Sequence, residues 1–294
     1  MGDGDTHKDE QKVEEDLLVA DSPLSEGLAV DAFLRAWDEA PHSTSLSFVP
    51  ATAAAQVEAA GKHAPDLLRR VLERALARGR TPTGLVLPGS MRAERERALA
   101  RIRQDLIEQR DKHFSLSRPA YRRDLAICRG VLLPCGVEAG DPGSGVPRRL
   151  LFSGGLRQGM SVGWTLLARC GGFRPFVELH FDRRDIERFN AEGYRSLYRN
   201  LADLLRANPH LRGVTSASWW HDPALGSAFD FIDDLPRGHG AAFFRVGEDP
   251  HATADALRFS PERQRLHAEG LYRPAVWLRV WSRRDLLRWD EATR

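Results

Sequence analysis

Cysteine, lysine and long apolar runs are all scarce in this chain of 294 residues, and each scarcity removes a class of protein. Cys128, Cys135 and Cys170 are too few and too irregularly spaced for a disulfide framework or a zinc cluster, so they read as buried free thiols. No stretch reaches the roughly 18 apolar residues that cross a bilayer, and the acidic N-terminus lacks the basic-then-apolar order of a secretory signal. These absences predict a cytoplasmic protein with no membrane partner. Lysine occurs only at Lys8, Lys12, Lys62 and Lys112, which leaves arginine to carry almost all of the positive charge.

Charge is abundant but unevenly placed. The formal net charge is +2, yet residues 1–40 hold twelve Asp/Glu against three Lys/Arg, while residues 69–129 hold sixteen Lys/Arg against seven Asp/Glu. The basic run has neither interleaved aromatics nor a zinc-finger or basic-zipper spacing, which argues against nucleic acid as a partner. Hydrophobic residues make up 42% and charged residues 29%, the proportions of an ordinary globular chain.

Periodicity and turn signals divide the chain into three parts. Residues 1–21 are acidic with almost nothing to bury and read as a disordered arm. Residues 22–147 read as mainly helical: Leu28–Trp37, a helix opened by Pro65 and stopped by Gly79, and a longer one from Met91 to Lys112 capped by Ser90. Pro41-His42-Ser43-Thr44 is a turn, and Leu85–Leu87 is a short strand. The turn-rich stretch Asp141–Pro147 marks the boundary to a mixed α/β core over residues 148–294.

In that core, Leu150–Ser153, Val162–Arg169 and Phe176–Phe181 read as a meander, with Gly154, Gly155, Gly159 and Gly163 as hairpin-loop glycines rather than a phosphate cradle. A helix over 189–206 ends at Asn208-Pro209. Strands follow at 213–220, 241–246 and 275–281, with helical segments over 252–267, broken at Ser260-Pro261, and after Ser282. The pattern predicts an α+β (mixed α/β) fold: a mostly antiparallel C-terminal sheet with packed helices, and a helical N-terminal region.

One segment concentrates chemistry. A strand ends in Ser218, Trp219 and Trp220, followed at once by His221, Asp222 and Pro223, so one Trp can enter the core while the other walls a pocket. A turn-capping role for Asp222-Pro223 competes with a site role. His180 and Asp182 lie two apart at the end of another strand, the spacing of two ligands in a non-haem iron site whose third ligand is His239. Asp182 is equally suited to capping the next helix. Cys170 has no base near it in sequence, and Arg245, Arg273 and Arg279 lie scattered on late strands and loops. The enzyme reading makes His180, Asp182, His221 and Asp222 catalytic, with His221 or Asp222 as general base, and gives Ser218, Trp219, Trp220 and Arg245 to a small-molecule substrate. The competing reading is a non-catalytic binding or regulatory protein that uses the Trp219-Trp220 region as an interface and meets an acidic partner with its basic helix.

Val177-Glu178-Leu179-His180, Phe189-Asn190 with Glu192-Gly193, Ser218-Trp219 with Asp222-Pro223, Phe243-Phe244-Arg245-Val246-Gly247 and Tyr272-Arg273-Pro274 together resemble a family of uncharacterised bacterial proteins. The resemblance spans about the last half of the chain and implies no activity. Where that family carries an aromatic residue before Asp-Pro, this chain has His221. The order of elements is also loosely similar to the acetyl-CoA-dependent N-acyltransferases, which implies acyl-CoA as cofactor and acyl transfer as chemistry. Asp182 to Gly193 lacks that family's pyrophosphate-binding spacing.

Overall fold

The computed structural model describes residues 23–39, 48–108, 113–258 and 260–294. The acidic arm, the turn at 41–44, and Arg110 and Lys112 at the end of the basic helix lie outside them. Contacts divide the chain into two units, Met1–Thr81 with Leu99–Arg129, and Pro82–Ala98 with Gly130–Arg294.

The first unit is helical. Helices α1 (Pro23–Glu39), α2 (Ala51–Ala60), α3 (Ala64–Arg78) and α5 (Pro119–Cys128) belong to it, together with the second part of α4 (Gly89–Glu108). The expected stripe of α3 is buried at Leu67, Leu68, Val71, Leu72 and Ala75, and the helix ends on Gly79 in the left-handed region (φ 57°). Tyr121 on α5 donates to the carbonyl of Leu68 at 2.8 Å, which satisfies a buried hydroxyl. At the rim of this unit, Asp31 accepts from Arg74 and Arg78, and Asp38 accepts from Arg80 and Arg129.

The second unit is built on a six-stranded sheet ordered β1-β2-β3-β4-β6-β5, comprising β1 (Leu133–Pro134), β2 (Glu138–Ser144), β3 (Phe176–Phe181), β4 (Gly213–Ser218), β5 (Ala242–Gly247) and β6 (Val276–Ser282). All neighbours pair antiparallel except β3 and β4, which are parallel and joined through α8 (Ala191–Ala207). With twelve α-helices among the described residues and a mostly antiparallel sheet, the fold is α+β. No helix among the described residues is long and apolar enough to cross a membrane.

Each sheet face has its own core because side chains alternate along a strand. Val177, Leu179, Val214 and Trp281 point to one face and pack with Tyr194, Leu197, Tyr198, Leu201 and Leu205 of α8 and with Leu286 and Trp289 of α12 (Arg283–Thr293). Phe176, Phe244, Leu278 and Val280 point to the other and pack with Leu150, Val162 and Leu166. α8 starts where Asn190 accepts from the Gly193 amide, and α12 starts where Ser282 accepts from the Asp285 amide.

Several expectations are corrected. Leu150–Ser153 is helix α6, Gly155–Gly163 is α7, and Trp164–Arg169 continues as a wider π turn, so the two expected strands and their glycine hairpin are helical. Apolar runs of this length fit a buried strand and a buried helix equally well. The expected linker from Asp141 is largely strand, since β2 runs to Ser144 and takes Pro142 and Gly143 at a register shift between Asp141 and Ser144. Leu85–Leu87 forms no strand. The basic helix α4 includes Ser90 rather than being capped by it. The break at Ser260-Pro261 separates α10 (Pro250–Leu257) from α11 (Pro261–Ala268).

Candidate functional site

Two parallel strands carry the sequence-predicted residues toward one end of the sheet. The β3–β4 ladder consists of Val177↔Val214 and Glu178↔Thr215 alone, so the C-terminal halves of the two strands are not paired with each other. A short helical turn, Trp219–His221, begins where β4 ends, with Ser218 accepting from the Trp220 amide at 3.2 Å.

That turn folds His221 back beneath the strand it has just left. Its Nε2 lies 3.1 Å from the Oγ of Ser216, and its Nδ1 lies 2.9 Å from both carboxylate oxygens of Asp233 on α9 (Asp230–Gly238). Asp233 also accepts at 3.1 Å from Nη1 of Arg279, the register partner of Ser216 on β6. Arg279 Nη1 further donates to the hydroxyl of Tyr198 at 2.7 Å and to the carbonyl of Ile232 at 3.1 Å. Ser216, His221, Asp233 and Arg279 are 5%, 2%, 5% and 1% exposed.

The electrostatics of this relay follow from burial. Desolvation pushes the His221 pKa below its ordinary value, the charge of Arg279 adds to that effect, and the Asp233 hydrogen bond opposes it. The imidazole is therefore neutral at neutral pH. Burial alone would raise Asp233, but the His221 hydrogen bond and the Arg279 guanidinium hold it below the usual carboxylate value, hence ionised. An ionised Asp233 fixes the proton on Nδ1, which leaves Nε2 as the acceptor of the Ser216 hydroxyl proton. This is the arrangement of an oriented base beside a nucleophile. Nη2 of Arg279 is buried and makes no hydrogen bond within the protein.

The other predicted residues have separate roles. Asp222 accepts from the amides of Ala224 (3.0 Å) and Ala275 (3.1 Å), which makes it a turn and loop anchor. Asp182 accepts from the Arg184 amide and pairs with its guanidinium at 2.8 Å. His180 lies on the opposite sheet face from Ser216, with Glu178, because residues two apart on β3 share a face and Glu178 is in register with Thr215. Burial raises the Glu178 pKa, and the nearby charge of Asp141 adds to it, while the hydroxyl of Ser144 donates to its carboxylate. Trp219 donates to Asp255 at 3.2 Å and lies under Arg263, whereas Trp220 packs among Phe181, Phe189 and Phe229. Arg245 is exposed, 3.6 Å from Glu248. His239 terminates α9, and its carbonyl accepts from Trp281.

His180, Asp182 and His239 do not form a group within ligand distance, so the iron reading has no geometric support among the described residues. Among the described residues, Asp105, His113 and Asp124 of the other unit do bring their ligand atoms within 4.8 Å of one another.

The turn entering α8 does not suit the pyrophosphate of an acyl-CoA. The Asn190 side chain already takes the Gly193 amide, and Glu192 places a carboxylate in the first turn, where a pyrophosphate would need free amides. Arg183, Arg184 and Arg188 are engaged by Asp255, Asp182 and Glu94. No phosphate cradle stands there.

Sequence reasoning reached His221 but missed Asp233 and the role of Ser216. One signal was available: Arg279 alternates with Trp277 and Trp281 on one strand face, and a charge pointing into a core demands a buried partner. No protein-family model, curated protein or solved structure matches the chain.

Proposed function

We propose that this protein is an acyl-transferring or acyl-hydrolysing enzyme in which Ser216 is the nucleophile, His221 the general base and Asp233 the residue that orients it. The observation that carries this reading is His221 itself, whose two ring nitrogens contact Ser216 and Asp233 at 3.1 and 2.9 Å.

In the proposed cycle, Ser216 Oγ attacks the carbonyl carbon of an ester or thioester as its proton passes to His221 Nε2. The bond to the leaving group breaks, and the leaving group takes that proton. Water or an amine then loses a proton to His221 and attacks the acyl-serine; the bond between the acyl carbon and Ser216 Oγ breaks, Oγ takes the proton back from His221, and the acyl group leaves on the acceptor. Arg279 Nη2 supports the negative charge that develops on the carbonyl oxygen. Ser216 is buried, so the substrate reaches it only when the surrounding structure opens. No step uses acyl-CoA.

The test is turnover of a panel of p-nitrophenyl esters and acyl thioesters, with and without a primary amine acceptor. The wild-type protein is expected to release product with a burst from acylation, and Ser216→Ala to abolish it while circular dichroism stays unchanged. Equal turnover in Ser216→Ala, or none in the wild type, rejects the reading.

A further inference from the structure

A second site lies away from this relay. A cavity of about 610 Å³ is lined by Val146, Pro147, Arg148, Gly172, Phe173 and Arg174, and its two walls are joined by the Val146 amide donating to the Phe173 carbonyl at 3.0 Å. Arg148 reaches across it, with its guanidinium carbon 5.9 Å from the centre of the Phe173 ring. From Pro147 to Pro175 the sequence contains no Asp or Glu.

Glycines set the neighbouring arginines in place. A Cβ on Gly145 would lie 2.2 Å from Cγ and 2.7 Å from Nε of Arg174, so the Arg174 side chain runs directly over the Gly145 backbone. A Cβ on Gly171 (φ 76°) would lie 2.7 Å from Nη1 of Arg212, whose Nη1 donates to the Cys170 carbonyl at 3.2 Å and whose Nε donates to the Arg174 carbonyl. Arg212 is thereby fixed beside the cavity by backbone oxygens alone. Arg169, Arg183, Arg184 and Arg188 each meet a carboxylate, whereas among the described residues Arg148, Arg174 and Arg212 meet none. Arg148 and Arg174 line this concave surface, and the Arg212 guanidinium packs against Gly172 on its wall, so cationic side chains without a carboxylate partner leave a positive field that an anion would satisfy.

We propose that this cavity binds a phosphorylated small molecule of about mononucleotide size, with its phosphate held by Arg174, Arg148 and Arg212 and its remaining bulk against Phe173. The volume lies within the range of roughly 300–1,000 Å³ typical of small-molecule sites. The forked guanidinium matches phosphate oxygens in pairs, which suits a chain that uses almost no lysine.

The experiment is isothermal titration of the full chain with adenosine 5′-monophosphate, inorganic phosphate and adenosine, each repeated at raised salt. The nucleotide is expected to bind more tightly than inorganic phosphate and adenosine to show no heat, with affinity falling as salt rises. Arg174→Gln and Arg212→Gln should each weaken nucleotide binding by about tenfold. Gly145→Ala, which removes no charge, should weaken it by displacing Arg174. Absence of binding by both phosphate compounds, binding of adenosine equal to that of the nucleotide, or unchanged affinity in the arginine variants overturns the proposal. Ser216→Ala is expected to bind the nucleotide as the wild type does, which separates this result from the acyl-transfer reading.

Discussion

The carboxylate of Asp233 lies 2.9 Å from Nδ1 of His221 although the two residues are twelve apart in sequence and belong to different helical segments. Asp233→Asn should keep the shape but lose the charge that fixes the imidazole tautomer. Where an aspartate orients a catalytic histidine in this way, such a change lowers kcat by about 10⁴. The prediction is read from ester turnover alongside the NMR signals of the His221 ring protons. A kcat within a few-fold of the wild type would remove Asp233 from the mechanism.

The same carboxylate also compensates Arg279, and stability should report this separately. Arg279→Met leaves the buried charge of Asp233 facing the neutral His221 ring without its cationic partner, and breaking a buried pair in this way costs about 3–5 kcal/mol. A combined Arg279→Met, Asp233→Leu variant removes both charges and should recover most of that loss in urea unfolding, although His221 then has no partner. If the double variant is as unstable as the sum of the two singles, the pair is not coupled.

The pH dependence has a defined sign. The folded-state pKa of His221 is depressed below its ordinary value of 6.5, so between the folded pKa and 6.5 the unfolded chain binds the extra proton. This contribution to stability is complete above 6.5 and is lost as the pH falls toward the folded value. Activity depends on the neutral ring, so the acid limb of kcat/KM should lie below 6.5 and the profile should be flat through neutrality. Glu178 acts in the opposite direction, since its raised pKa costs stability as the pH rises past its ordinary value of 4.5. An acid limb at or above 6.5 would contradict the burial of His221.

Asn208 provides a test of the sheet unit that is independent of chemistry. Its side chain accepts from the Val86 amide and donates to the Val86 carbonyl, both at 2.8 Å, and so holds the irregular stretch before α4 against the end of α8. Asn208→Ala orphans both backbone groups and should cost about 1–3 kcal/mol, with faster hydrogen exchange at Val86.

Elements with both a period and a stop signal were legible in the sequence: α3 from Pro65 and Gly79, α8 from its apolar stripe and Asn208-Pro209, and β6 from the alternation of Val276, Leu278 and Val280. The segment 150–169 carries a helical signal that the strand reading passed over: Phe152, Leu156, Met160 and Trp164 recur four apart, yet this apolar stripe is exposed while Leu150, Val162 and Leu166 enter the core, and the glycines between them suggest hairpin loops. β2 was hidden by Pro142 and Gly143, which the bulge tolerates. His221 was visible because an imidazole followed two tryptophans at a strand end. Asp233 was not, because its pairing depends on a turn and a helix whose path no local spacing records.

Labelling with a fluorophosphonate probe, followed by peptide mass spectrometry, tests the central claim most directly, because only a serine activated by a base forms the covalent adduct at an appreciable rate. The account predicts a single adduct on the peptide carrying Ser216, absent in Ser216→Ala and strongly slowed in Asp233→Asn. An unmodified Ser216 under conditions that label a control serine hydrolase to completion would show that Ser216, His221, Asp233 and Arg279 serve only to hold α9 and β6 together.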